Sequence, residues 1–303
     1  MARMPSAEVS VDLPLVRRLL TDQHPDLVHL PMRVAANGWD NTMVRLGADL
    51  VVRLPRRSAA AELVLHEQLV LPRVADQLPV AVPVPLRTGR PTSYYPWPRT
   101  VAPWLPGAPA AEQEPAQRDA WAGQLADFFA ALHQVADADA PANPVRGVPL
   151  AERATVVRAR LQSGTFGGAA ELLALFDRGA GAPAHHGPPL WLHGDPHPLN
   201  MLAAGDQLTG VIDFGDTTAG DPATDLATAW LTFTASGRAE FIERYTAATG
   251  ADAATWDRAR AWAVNYAAVL LGGSDDHASL AAIGTHARGE LLGHGEATPS
   301  PDW

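Results

Sequence analysis

The sequence predicts an α+β chain in two lobes, an antiparallel sheet first and a larger helical part after it. Three observations point there. Three β-prone runs separated by turn residues fall within residues 32–54, helical periodicity takes over after Pro115, and two acidic motifs separated by a hairpin's length lie between His193 and Asp216. Strands gathered at one end and helices at the other describe segregated α+β packing rather than alternating βαβ units.

Asp12 is placed to cap a first helix, with Pro14 just inside it and Leu13, Val16, Leu19 and Leu20 forming an apolar face. Met32–Ala36, Thr42–Leu46 and Asp49–Leu54 then read as strands, with turns at Asn37-Gly38 and Gly47-Ala48-Asp49 between them. A helix is expected from about Ala59 to Asp76. The next section, Leu78 to Pro109, holds nine prolines, and proline has no amide to give a sheet. Its strands are therefore expected at sheet edges, over Val82–Leu86, Tyr94–Trp97 and Thr100–Trp104, ending in a connector at Leu105-Pro106-Gly107.

Beyond the connector, Trp121, Leu125, Phe128, Phe129, Leu132 and Val135 recur at helical spacing between Pro115 and Ala136. Further helices are expected near Ala151–Leu161, Ala169–Phe176, Ala223–Phe233, Arg238–Thr249, Ala253–Leu271 and Asp276–Leu292, with a poorly ordered tail over Gly293–Trp303. The lobes are expected to divide into residues 1–105 and 106–303.

With 303 residues, 47% of them hydrophobic and 18% charged, the chain has the composition of a protein with a substantial buried core. A net charge of −10 argues against a nucleic-acid binder, which needs a basic face, and is the sign expected for a cationic ligand. There is no cysteine, so disulfide and thiol chemistry are excluded. The N-terminus lacks a secretory apolar core, and the longest apolar candidate, Ala261–Leu271, is short and interrupted by Asn265. A cytoplasmic protein without a membrane segment is expected, as a monomer or a homodimer. All 23 basic residues are arginine, so no lysine is available to contact a phosphate.

The most informative stretch is His193-Gly-Asp195-Pro-His197-Pro-Leu-Asn200, followed by Val211-Ile-Asp213-Phe-Gly215-Asp216. Two β-prone runs around a Gly205-Asp206 turn separate them, which predicts a loop feeding a hairpin. The hairpin folds Asp213 back towards Asp195 and Asn200. Two carboxylates and an amide oxygen then converge, a donor set that suits Mg²⁺ beside a phosphoryl group. The D-x-x-x-x-N spacing from Asp195 to Asn200, with Asp213-Phe-Gly215 eighteen positions after Asp195, matches the spacing of a kinase catalytic loop and metal-binding element. His193 and His197 open another reading, a transition-metal hydrolase site, because H-x-D-x-H offers imidazole ligands.

On these residues the chain resembles the aminoglycoside phosphotransferase family, small-molecule relatives of the protein kinases, and the resemblance covers most of the chain. It implies a two-lobed protein-kinase-like fold that uses Mg²⁺ and ATP or GTP. Asp195 would accept a hydrogen bond from the acceptor hydroxyl, Asn200 and Asp213 would hold the metal, and His193 and His197 would support the loop. Arg53 stands on the third strand where the family usually has a phosphate-contacting lysine, which is a departure; Glu67 or Glu62 would orient it. Of the glycine-rich first hairpin only Gly38 remains, with Asn41 beside it. Trp104 and Leu105 would line the base pocket, Asp225 would tie the helical lobe to the catalytic loop, and Asp216 would lie near a second metal. Trp230, Tyr266, Asp275, Asp276 and Glu290 are candidates for the acceptor pocket. The implied acceptor is a small hydroxylated, possibly cationic molecule such as an aminoglycoside antibiotic. A metabolite kinase of choline, homoserine or sugar type, or a non-catalytic nucleotide- or drug-binding protein, are the alternatives.

Overall fold

The structure, a computed structural model, describes residues 6–38, 40–163, 167–273 and 277–293. The expectations placed on Asp275, Asp276 and residues 294–303 lie outside the described residues.

Helix α1 (Leu13–Gln23) begins where Asp12 accepts the Leu15 amide at 2.8 Å. Its buried Val16, Leu19 and Leu20 pack on Val44, Leu46, Val52 and Leu54 of the sheet behind it. That sheet is formed by β1 (Met32–Asn37), β2 (Asn41–Leu46) and β3 (Leu50–Pro55), then, after α2 (Ala61–Val74), by β4 (Arg87–Gly89) and β5 (Arg99–Pro103). All pairs are antiparallel and the order is β1-β2-β3-β5-β4.

Two of the three strands expected in the proline-rich section do not form. Val82–Leu86 and Tyr94–Trp97 carry Pro83, Pro85 and Pro96, and outside Arg87–Gly89 this stretch makes only single backbone bonds such as Leu86 N–H to Val101 O at 2.8 Å. The third does form, but inside the sheet: β5 has no proline before Pro103, so its amides serve both β3 and β4.

After a crossing at Pro106-Gly107 the chain forms β6 (Ala108–Pro109), α3 (Pro115–Arg118), α4 (Ala122–Leu132), α5 (Ala154–Gln162) and α6 (Ala169–Ala180). The helix expected to reach Val135 ends at Leu132. From there the backbone turns to pair with β7 (Leu190–Leu192), Trp191 N–H to Gln134 O and Ala136 N–H to Pro189 O, both at 2.9 Å, and Val135 is left exposed. Next come β7 (Leu190–Leu192), the hairpin β8 (Met201–Ala204) and β9 (Gln207–Val211), and β10 (Thr218–Gly220), which pairs with β7. The expected helix over Ala223–Phe233 is two short ones, α7 (Ala223–Leu226) and α8 (Thr228–Thr232). Then α9 (Ala235–Thr249), α10 (Ala253–Gly272) and α11 (Ala278–Leu292) complete the helical part.

Helix α10 is its axis, packed against α5, α6, α7, α8 and α11. It is buried on nearly every side, which explains an apolar pattern without one polar face. The main core gathers Trp121, Phe128, Phe129, Phe233, Phe241 and Trp262. No helix among the described residues is long and apolar enough to cross a membrane.

Candidate active site

The loop between β7 and β8 that carries Asp195 and Asn200 is held by Asp225 on α7, a fully buried carboxylate. Its Oδ2 accepts the His193 amide at 2.7 Å and its Oδ1 the Gly194 amide at 2.9 Å, while His133 Nε2 lies 3.3 Å from Oδ2. Gly194 has φ +90°, and a Cβ there would sit 2.2 Å from the Asp216 carbonyl, so only glycine lets the loop pass this close. The Tyr266 hydroxyl of α10 donates to the Gly194 carbonyl at 2.7 Å.

His193 is fully enclosed, and both ring nitrogens serve the loop. Nδ1 accepts the Asp195 amide at 3.2 Å and Nε2 donates to the Ile212 carbonyl at 2.9 Å, a tautomer assigned by these partners. His197 Nε2 faces Asp195 Oδ2 at 3.3 Å, and its Nδ1 is buried without a partner among the described residues. The imidazoles therefore frame the loop and orient its aspartate. A histidine-ligated transition-metal site would require breaking these contacts.

Asp195 also accepts Arg146 Nη2 on Oδ1 at 2.9 Å, so each of its oxygens faces a donor. Burial opposes its charge, but His197 and Arg146 outweigh burial and hold the carboxyl well below the usual carboxylate range. Sequence reasoning missed Arg146. It lies in a Pro/Gly-rich loop without periodicity, and only the packing of that loop against α10, with the guanidinium 4.7 Å from the Tyr266 ring centroid, brings it to Asp195. Asn143 of the same loop donates to Asp216 Oδ1 at 2.9 Å. Burial, reinforced by the charge of Asp195, pushes the Asp216 carboxyl up.

The hairpin brings Asp213 back beside the loop in a left-handed conformation, φ 65° and ψ 62°, the one non-glycine residue with positive φ among those described. Such a backbone costs on the order of 1 kcal/mol and persists where its surroundings enforce it. Here they do: Arg53 Nη2 of β3 meets Asp213 Oδ1 at 2.7 Å, and Glu67 of α2 accepts both Arg53 Nη1 at 2.5 Å and the Phe214 amide at 2.9 Å. Glu67, not Glu62, is thus the carboxylate that reaches Arg53. Burial pushes the Glu67 carboxyl up to about 7 against the pull of Arg53, because one guanidinium serves two carboxylates. Arg53 likewise holds Asp213 low in spite of burial. With its amide turned so that the oxygen faces Arg53, Asn41 accepts from Nε at 3.1 Å and Nη2 at 3.0 Å. In the first hairpin, the Gly38 amide donates to the Asn41 carbonyl at 2.8 Å.

Asn200 gives its Nδ2 to the Asp195 carbonyl at 2.9 Å, which leaves Oδ1 as the side-chain donor atom for a cation. Asp213, whose side chain is 51% exposed, keeps Oδ2 unengaged among the described residues. An amide oxygen and a carboxylate oxygen are the hard donors that suit a divalent cation such as Mg²⁺.

The other candidates are placed elsewhere. Trp104 carries Arg45 4.3 Å from its ring centroid, and Leu105 packs by Gly210 of β9, both at the crossing between sheet and helices. Glu290 pairs with Arg238 at 2.5 Å between α9 and α11, and Trp230 is buried near the same arginine. Tyr266 alone of the described acceptor-pocket candidates touches the loop that carries Asp195.

Residues 31–262 match the family model described as the phosphotransferase enzyme family, more than half of the chain. The chain belongs to that family. Its fold is shared with solved structures of low sequence identity. The GDP and kanamycin complex of APH(2'')-IIIa is 20% identical with a TM-score of 0.65, over 93% of this chain and 99% of that one. A macrolide 2'-phosphotransferase, MphH from Brachybacterium faecium, is 21% identical with a TM-score of 0.62, over 96% and 100%. The streptomycin–ATP ternary complex of APH(2'')-IIa is 18% identical with a TM-score of 0.57, over 85% and 90%. No curated protein sequence matches the chain.

Proposed function

We propose that this phosphotransferase moves the γ-phosphoryl group of ATP or GTP to a hydroxyl of a small molecule, with Mg²⁺, in a cleft between a nucleotide-binding sheet lobe and a helical acceptor lobe. The observation that carries the proposal is the convergence of Asp195, Asn200 and Asp213 around one loop and hairpin, with Arg53 reaching across from the sheet. Asp195, kept ionised by His197 and Arg146, accepts the hydrogen bond of the attacking hydroxyl and orients it in line with the phosphorus. Asn200 Oδ1 and Asp213 would hold Mg²⁺, which when bound neutralises charge on the transferred phosphoryl group. Arg53, oriented by Glu67, contacts phosphate oxygens in place of a lysine, supplying a permanent charge. Asp225 and His193 fix the loop so that little reorganisation is left to the reaction.

For the acceptor, the relatives' ligands supply the range: aminoglycosides such as kanamycin and streptomycin, and macrolides. An antibiotic or a hydroxylated metabolite is accordingly the substrate class we propose. The test is γ-labelled ATP or GTP with Mg²⁺ and a panel of such alcohols. Asp195→Asn is expected to lower acceptor-dependent transfer by about 10²–10⁴-fold while nucleotide binding stays intact. Equal transfer by Asp195→Asn and the unaltered protein would refute the assignment.

A further inference from the structure

Residues 141–149, between α4 and α5, pass Asp195 without regular secondary structure. No ladder holds such a loop, so single contacts must. Two of them tie it to β10. Thr218 Oγ1 donates to the Pro141 carbonyl at 2.7 Å, and Gly147 lies so close to Gly220 that a Cβ there would come 2.6 Å from the Gly147 Cα.

Between these ties, Asn143 uses both ends of its amide. Oδ1 accepts the Val145 amide at 3.0 Å and the Arg146 amide at 3.1 Å, which closes an Asx turn. Nδ2 donates to Asp216 Oδ1 at 2.9 Å and reaches the Asp216 carbonyl at 3.4 Å. These partners fix the amide's orientation, because exchanging its ends would set oxygen against carboxylate and NH₂ against two N–H groups. The turn presents Arg146, whose Nη2 donates to Asp195 Oδ1 at 2.9 Å while the Tyr266 ring flanks its guanidinium. One side chain therefore reaches Asp216 directly and Asp195 through Arg146.

Only an uncharged amide does both. An aspartate at position 143 would keep the two accepted bonds, but it has no donor for Asp216 and sets a like charge against it. Alanine gives up every one of these bonds.

We propose that Asn143 is a positioning residue for the phosphoryl transfer, a single amide that sets where Asp195 and Asp216 stand relative to each other. The proposal rests on the phosphotransferase reading above. Asp195 must hold the attacking hydroxyl in line with the phosphorus, and small displacements of such a group are costly in rate.

The test follows release or transfer of labelled phosphate from γ-labelled ATP or GTP by the full chain with Mg²⁺, with water and then kanamycin as the acceptor. Asn143→Ala and Asn143→Asp are each expected to lower kcat about 10–100-fold with the nucleotide KM unchanged. In Asn143→Ala/Arg146→Gln the combined loss is expected to fall well short of the product of the single losses, since Asn143 acts through Arg146. A second readout needs no turnover. Rotation of the Arg146 guanidinium, slowed by its bond to Asp195 and followed by ¹⁵N NMR, is expected to quicken about tenfold in both Asn143 variants. Circular dichroism checks that every variant is folded.

An Asn143→Asp protein as fast as the unaltered one would mean that the amide only shapes its own turn, and overturns the proposal. So do losses that multiply in the double variant, or a guanidinium whose rotation neither substitution changes. Failure of the phosphotransferase reading shows separately, as no nucleotide binding or turnover by the unaltered protein. The guanidinium measurement then still decides whether Asn143 holds Arg146 on Asp195.

Discussion

The proposed role of Asp195 requires its anionic form, and two groups from different parts of the chain hold its carboxyl low. His197 lies two residues away, while Arg146 arrives from a loop 49 residues upstream. A carboxyl that titrates below its unfolded value adds stability above about pH 4, and that contribution is lost as the pH falls further. Arg146→Gln removes one cation, so the Asp195 pKa is expected to rise by roughly one unit or more, read from the ¹³C chemical shift of its carboxyl against pH. An unchanged titration would mean that His197 alone sets the charge. The contrast with Asp225 is instructive at this scale. Asp225 is enclosed completely and spends both oxygens on backbone amides, so it builds the loop, whereas Asp195 stays partly open.

At the scale of elements, short motifs succeed when the helices beneath them are fixed. The hairpin β8–β9 pairs Met201 with Val211 and turns at Gly205, which delivers Asp213 to the loop without any distant contact. The loop's own height depends on α10, through Tyr266, and α10 depends on how closely α6 approaches it. Gly179 on α6 sets that approach: a Cβ there would lie 2.3 Å from the Asp257 carbonyl and 2.4 Å from the Ala261 Cβ. Helix propensity alone favours Gly179→Ala by about 1 kcal/mol. Overpacking against a helix backbone costs about 1–3 kcal/mol, so a net loss of stability is expected in urea unfolding. A gain would show that α6 can slide. Proline decides other elements: β5 pairs on both sides because its interior lacks one, and Val82–Leu86 fails to become a strand because it has two.

Across the whole molecule, sheet and helices meet at the site itself. Arg53 of β3 and Glu67 of α2 hold Asp213 and the Phe214 amide, so the site's charges couple the two parts. A nucleotide that adds contacts to both should stabilise the entire fold. By linkage, Mg·ADP or Mg·GDP at about a hundredfold excess over Kd is expected to contribute about 2.7 kcal/mol, seen as a rise in Tm. At equal concentrations of the two nucleotides the larger rise identifies the preferred base, and Asp213→Ala is expected to reduce the Mg²⁺-dependent part. Equal melting with and without either nucleotide would contradict the nucleotide site.

The sequence by itself determined the first three strands, most of the helices, the cap of α1, and the hairpin that returns Asp213 to the loop of Asp195 and Asn200. These are local matters, carried by period, turn chemistry and spacing within some twenty residues. Tertiary structure alone decided that Glu67 rather than Glu62 meets Arg53, that β5 lies inside the sheet, and that α4 stops at Leu132 to free the backbone for pairing. It alone placed Arg146 beside Asp195. Helix register, strand neighbours and the destination of an aperiodic loop are set by contacts between segments remote in sequence. The residues of those segments carry no local mark of the partner they meet.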